Sequence, residues 1–447
     1  MSVAHSPLAA SSFPLLVGAL SRLIAVDGQR RIDGAGFLRH VHGVAAWLPE
    51  GRHVVNLCED RYHFLVLLCA TALRGQVTLL PPSRAPAVVA DVQAAHGHCP
   101  AIGDVDCDSV AAHHRLPQPL PEADGGLPSL PADQVVLIGF TSGSTGTPSA
   151  NAKTWGSFQT STQQNCLALA DLLDGQLPAV VATVPPQHMY GVEMSVMLPL
   201  LGPALVHGGR PFFPQDVARA LEQVPPPRVL VTTPVHLDAL VRAGVSLPVM
   251  QAIVTATAPL SAEQALAAET AFGCQVRELL GSTETCIFAR RRTATDPAWT
   301  PLPGVTVTPQ PDGTLVSAPH LTQPVALADL IERLPDGRFV LRGRRADLLE
   351  IAGKRASLGD LSGRLRGIDG VEDAVMLQLP AEPGRAVGRL AALVVAPTLD
   401  EATILSALRQ CMDPVFLPRP LRLVASLPRN ETGKLPRQAV LDLLQSS

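Results

Sequence analysis

Short apolar runs alternate with helix-spaced segments through most of the chain. Phe37 to Leu48 places its apolar residues on one helical face and is broken by Pro49, Glu50 and Gly51. Val54 to Leu57 is strand-like. Tyr62 to Leu73 returns to helical spacing and ends at Arg74-Gly75, and Val77 to Leu80 is strand-like before Pro81-Pro82. This alternation predicts βαβ units and a parallel sheet. Residues 115 to 132, rich in Pro, Gly and acid, predict a loop. The rhythm resumes between 179 and 260. Strands are predicted over Val180 to Val184, around Leu205 and Val206, over Val229 to Thr232 and over Ala252 to Thr255. A helix over Phe213 to Val224 is stopped by Pro225-Pro226-Pro227. Near residue 300 the chain becomes Pro-rich. After Arg344 it reads as a smaller unit of strands and amphipathic helices, including Leu361 to Leu365, Ala374 to Leu379 and Leu390 to Val395. The expected fold is α/β: a large N-terminal domain, 1–345, of layered mixed or parallel sheets with helices, followed by a small α+β domain, 346–447.

The stretch from 135 to 153 interrupts this pattern chemically. Val135, Val136, Leu137, Ile138 and Phe140 form an apolar run with Gly139 inside it, as a buried strand would. It ends in Thr141, Ser142, Gly143, Ser144, Thr145, Gly146, Thr147 and Pro148. Glycines let backbone N–H groups approach an anion, and hydroxyls add donors suited to phosphate oxygens. The alternative on composition alone is a Ser/Gly-rich surface linker. No Walker A pattern can be written through it.

Further stretches follow in order: Pro185-Pro186-Gln187-His188-Met189-Tyr190-Gly191, Thr255-Ala256-Thr257-Ala258-Pro259, Leu280-Gly281-Ser282-Thr283-Glu284, Asp329 through Gly343-Arg344, and Asn430-Glu431-Thr432-Gly433-Lys434 near the end. Together with Thr141 to Pro148 they resemble the adenylate-forming superfamily of acyl-CoA synthetases, peptide-synthetase adenylation domains and luciferases. The resemblance implies ATP and Mg²⁺ as cofactors. It also implies a nucleotide site of Thr141, Ser142, Gly143, Ser144, Thr145, Gly146, Thr257, Ala258, Pro259, Gly281, Ser282, Thr283, Asp329 and Arg344. Glu284 would hold the metal, a role that suits a carboxylate because magnesium takes oxygen ligands. Asp329 would accept the ribose hydroxyls. His188, Met189, Tyr190 and Gly191 would line the substrate pocket, with His188 gating the approach of the carboxylate. Lys434 would be the catalytic lysine between that carboxylate and the α-phosphate, and the small C-terminal domain would be mobile. The chain departs from the family in four places. Ser149 stands where the family has Lys, with Lys153 the next cation. Leu280 stands where an aromatic residue is common, Ala346 occupies the hinge, and Glu350 stands where many relatives have Lys.

Length, composition and charge bound the rest. A chain of 447 residues, 47% hydrophobic, exceeds one ordinary core. A net charge of −4 gives no reason to expect a nucleic-acid partner. Eight scattered cysteines without a C-x-x-C predict free thiols in a reducing cytoplasm. The apolar segment from Phe13 to Val26 is interrupted by Arg22 and lacks the marks of a signal peptide. The apolar region from Ala179 to His207 carries Pro185, Pro186, Pro199, His188 and Glu193, so no transmembrane segment is expected. The pocket stretches His188 to Tyr190, Val231 to His236 and Ala256 to Pro259 hold no Asp or Lys for an ammonium group, which disfavours amino-acid substrates. The stretches KTWGSF (153–158), TVPPQHMYGVE (183–193), RPFFP (210–214), LVTTPVHLDAL (230–240) and GKRASLGDL (353–361) resemble a shorter branch of the superfamily, the AMP-ligases of aryl-polyene and xanthomonadin-type pigment clusters. That resemblance implies an aromatic acid, a hydroxybenzoate or hydroxycinnamate, loaded onto an acyl carrier protein. A fatty- or aryl-acyl-CoA synthetase using CoA, and a degenerate nucleotide-binding module, remain the alternatives.

Overall fold

The computed structural model describes residues 11–141, 149–344, 348–351, 354–379, 389–430 and 433–445. The chain folds into two units, Met1–Val305 with Ser317–Gln323, and Thr306–Val316 with Pro324–Ser447.

Two large sheets dominate the described residues of the first unit. One runs in the order Ser149–Thr154, Val135–Thr141, Val77–Leu80, His53–Asn56, Ala101–Gly103, His113–Arg115. Its pairings are parallel except at the Ser149–Thr154 edge, which returns antiparallel on Val135–Thr141. The other has nine strands. Leu23–Asp27, Leu205–His207, Ala179–Ala182, Arg228–Thr232, Ala252–Thr255 and Gln275–Ser282 lie parallel in its centre, and both edges are antiparallel.

The apolar runs are continuous because this sheet is buried on both faces. Val180 and Ala182 join one apolar cluster while Ala179 and Val181 join another, and the same split separates Val229 and Val231 from Leu230. Successive strand residues point to opposite faces, so a run of four apolar residues feeds two cores.

Side-chain caps set where several of the helices start. The first begins at Gly34, because Asp33 accepts the Gly36 N–H at 2.8 Å. Asp60 likewise caps Arg61–Leu73 by accepting from His63. From Arg61 to Ala72 every residue of that helix is buried, so it is a central helix, not a surface one with a polar face. Thr154 and Ser157 form a capping box that starts Trp155–Leu173 directly after the antiparallel strand. The region expected to be loop, 115 to 132, contains the strand Ser129–Pro131, which pairs with Ser12–Pro14. So short a strand leaves too little pattern to read.

In the second unit the strands Asp373–Gln378, Leu390–Val395 and Leu421–Leu423 form a sheet. Ala374, Met376, Ala392 and Val394 pack with Leu361, Leu365, Ile404 and Leu408 of two helices. Leu377, Ala391 and Leu393 pack with Val440 and Leu444 of a third. The hairpin Asp329–Arg333 with Phe339–Arg344 belongs to this unit. Among the described residues no helix is long and apolar enough to cross a membrane.

Candidate active site

Chemistry-bearing side chains of the first unit collect where two strands end. Val135–Thr141 finishes at Thr141, and Ser149 lies opposite it on the returning strand. Their hydroxyls are 2.6 Å apart, and the Thr141 hydroxyl donates to Glu284 Oε1 at 3.1 Å. Ser142, Gly143, Ser144, Thr145 and Gly146 lie outside the described residues. Gly139 is needed in the strand, because a Cβ there would stand 2.9 Å from Thr283 Cγ2 and 3.2 Å from Met189 Cε. The strand, the Thr283-Glu284 turn and the start of the Met189 helix therefore meet at one glycine.

Glu284 sits on the turn joining Gln275–Ser282 to Cys286–Arg291. The turn is tight. A Cβ at Gly281 would come within 2.5 Å of Cys286 O, and Cys286 has φ +56°. Inside it the Thr285 hydroxyl donates to Cys286 O at 2.8 Å and accepts from Ser282 N at 3.1 Å. Lys153 Nζ donates to Glu284 O at 2.8 Å, and His320 Nε2 donates to Thr285 O at 2.7 Å. The fully buried Glu193 carboxylate accepts the Ile287 N–H at 3.0 Å and Asn165 Nδ2 at 3.2 Å. Burial pushes the Glu193 carboxyl up to about 7, against the lowering influence of Ile287 N–H, Asn165 and Lys153. Burial also pushes the Cys286 thiol up to about 12.

His188 precedes the helical segment 189–201, which includes a π-helical turn at Glu193–Met197. Such turns recur at functional sites. Tyr190 is buried and donates its hydroxyl to Val254 O at 2.9 Å. Gly191 is obligatory, since a Cβ there would stand 2.0 Å from Pro185 O. The loop before His188 is held by Arg61, whose Nη2 donates to Ala182 O and Val184 O at 2.9 and 2.8 Å. Arg61 Nη1 bonds Ser195 Oγ, which in turn donates to Gly191 O at 2.6 Å. Burial lowers the Arg61 guanidinium to about 9. Thr257, just beyond the strand Ala252–Thr255, has φ +82°, while Ala258 is half-buried and Pro259 exposed. A non-glycine residue held at positive φ stores strain of the kind found at ligand clamps.

The second unit carries the remaining expected residues. Asp329 and Arg344 are Cα partners at the end of their hairpin. Lys434 is exposed on a loop closed by Lys434 N to Asn430 Oδ1 and Asn430 N to Lys434 O, at 2.9 and 2.8 Å. Arg429 braces that loop, pairing with both Asp373 oxygens at 2.8 Å and donating to Gly433 O at 2.7 Å. Ala346 and Asp347 lie outside the described residues.

Thus Thr141, Thr283, Glu284 and Met189 are brought together with Ser149. Lys153, Glu193, His320 and Arg61 support them and are absent from the sequence-derived site. Glu193 carried a sequence signal as a charge within the apolar region from Ala179 to His207, and Lys153 only as the next cation after Ser149. The side-chain atoms gathered at the Glu284 carboxylate, its own oxygens and the Thr141 and Ser149 hydroxyls, are oxygen, which fits Mg²⁺. Among the described residues no three His, Cys, Asp or Glu side chains gather as a metal cage. One carboxylate with nearby hydroxyls suits an ion whose other ligands are water and phosphate.

A family model described as AMP-binding enzyme matches residues 19–318. Over 117 residues the chain is 37% identical to phenyloxazoline synthase MbtB of Mycobacterium sp. (strain MCS), covering 25% of this chain and 10% of that protein. Over 123 residues it is 28% identical to the medium/long-chain fatty-acid acyl-carrier-protein ligase FadD10 of Mycobacterium tuberculosis, covering 26% and 23%. The chain thus matches less than a quarter of the length of either relative. It is 28% identical over 302 residues to 4-coumarate–CoA ligase of Rhodobacter capsulatus, covering 66% and 73%. The fold is similar to that of ATP-bound MatB from Rhodopseudomonas palustris, with TM-score 0.80, 18% identity and 96% and 97% of the two chains covered.

Proposed function

This chain belongs to the AMP-binding enzyme family, and on that premise we propose that it is an AMP-forming acid–thiol ligase that activates an aromatic carboxylic acid and transfers it to an acyl carrier protein. The observation that carries the reading is the Thr141–Ser149–Glu284 cluster at the ends of the strands.

A carboxylate is a poor acyl donor because its leaving group would be oxide. In the first step its oxygen attacks the α-phosphorus of ATP, the bond to pyrophosphate breaks, and an acyl adenylate forms. Residues 142–146 with Thr141 would hold the phosphates, Thr283 the α-phosphate, and Thr257, Ala258 and Pro259 the adenine. Gly281 and Ser282 would border the nucleotide, and Asp329 and Arg344 would take the ribose. His188 would gate the carboxylate, with Met189, Tyr190 and Gly191 around it. Lys434 would place a point charge where negative charge builds at phosphorus. Glu284, backed by Thr141, would hold Mg²⁺, which when bound neutralises phosphate charge. In the second step a thiolate attacks the acyl carbon and AMP leaves. Residues 346–447 would move between the two steps, as domain closures do in many enzymes.

Two relatives support the substrate classes through their names: a 4-coumarate–CoA ligase for an aryl acid, and an acyl-carrier-protein ligase for the acceptor. A hydroxybenzoate or hydroxycinnamate of the kind used in aryl-polyene and xanthomonadin-type pigment clusters is the finer reading. The 4-coumarate relative equally favours CoA as acceptor, which is the second reading. A cytoplasmic location is consistent with all eight cysteines being free thiols. The test is thioester formation, followed by mass spectrometry, from ATP and a panel of aryl, fatty and amino acids with holo-carrier protein or CoA. Aryl thioester on the carrier is the expected product. Thioester on CoA alone favours the second reading, and fatty-acyl product alone contradicts the aryl assignment.

A further inference from the structure

Glu284 is gripped at both ends by one hairpin. The strand Val135–Thr141 gives its carboxylate the Thr141 hydroxyl, itself paired with Ser149. The returning strand Ser149–Thr154 gives its backbone carbonyl the Lys153 ammonium at 2.8 Å. Lys153 is only 5% exposed, unusual for a lysine. Its charge favours the ionised forms of the Glu193 carboxyl and the Cys286 thiol, against the larger opposing effect of burial. Glu193 holds the next stretch of the same turn through Ile287 N–H and is steadied by Asn165.

A neutral donor could satisfy one carbonyl, so burying an ammonium there needs another reason. A charge-assisted bond is about twice as strong as a neutral one and so fixes the peptide more tightly.

We propose that Lys153 is a positioning residue that sets the Glu284 carboxylate for its metal. The proposal rests on the reading of Glu284 as the metal ligand. Outer-shell partners of this kind orient the ligand, and their loss weakens metal affinity.

The experiment is calorimetric binding of ATP to the full chain with Mg²⁺ and with EDTA. It compares wild type, Lys153→Met, Lys153→Arg and Glu284→Gln, with circular dichroism to establish folding. Lys153→Met is expected to lose about 10-fold of the Mg²⁺-dependent gain in ATP affinity, the size seen when an outer-shell partner is removed. Its metal-free ATP affinity stays unchanged, and Lys153→Arg, which keeps donor and charge, restores most of the gain. In pyrophosphate exchange the Mg²⁺ requirement rises, with turnover at saturating Mg²⁺ less affected. An unchanged gain in folded Lys153→Met overturns the proposal. A parallel fall in both affinities also overturns it, because it marks a merely structural lysine. If Glu284→Gln itself leaves the gain intact, the reading of Glu284 as the metal ligand fails and takes the proposal with it. Should Lys153→Met not fold, Lys153→Gln carries the test: it keeps a neutral donor while removing the charge that strengthens the bond, and an unchanged gain there is equally contradictory.

Discussion

Glu193 is a buried carboxyl whose protonation is tied to folding. Its ordinary value of 4.5 is raised to about 7 in the fold, chiefly by burial. Below 4.5 both states hold the proton. Between that value and about 7 only the folded state does, so its contribution favours folding at low pH and is lost as pH rises through about 7. Relative to Glu193→Gln, the wild type should lose on the order of 3 kcal/mol of stability between about pH 5 and about pH 8. Urea unfolding of both proteins across that range checks it, and parallel curves would contradict it. Ser149 makes a milder prediction. It takes the place of the family lysine yet is exposed, and its hydroxyl is bonded to that of Thr141. One exposed hydrogen bond is worth about 1 kcal/mol, so Ser149→Lys should change exchange turnover by less than about tenfold. A gain of several orders of magnitude would show that pyrophosphate handling is crippled here.

At the scale of elements, the strands were the most legible part. Val77–Leu80, Ala252–Thr255 and Leu390–Val395 agree residue for residue with their apolar runs, because each is buried on both faces. Helix starts were legible only to within a few residues, since Asp33 and Asp60 set them by capping. The Thr283-Glu284 turn was legible as a local pattern. Its supports were not, because Lys153 lies 131 residues from Glu284 in sequence and Glu193 lies 94 from Ile287. Arg61 is the same case, 121 residues from Ala182. Nothing local tells such a residue from a misplaced charge. Arg61 also yields a prediction at this scale. Arg61→Met would take away the guanidinium donors to the Ala182 and Val184 carbonyls in the core. The expected cost is about 3 kcal/mol or more, read as a lower urea midpoint at unchanged slope. A cost under about 1 kcal/mol would mean that other donors take over.

For the whole molecule, the central claim is that two units serve one two-step reaction. The first unit holds the Glu284 cluster, and the second holds Asp329, Arg344 and Lys434. If Lys434 serves only adenylation, Lys434→Ala should still convert a chemically synthesised aryl adenylate to thioester at close to the wild-type rate. Equal loss in that half-reaction would place the lysine in both steps. The most direct measurement is aryl-acid-dependent exchange of pyrophosphate into ATP with Mg²⁺, comparing wild type with Lys434→Ala. The account predicts exchange in the wild type and a fall of about 100-fold or more in the variant, the size of losing one charge-stabilising group in a transition state. No exchange with any carboxylic acid, by a folded chain that binds ATP, would contradict it and leave a nucleotide-binding module without turnover.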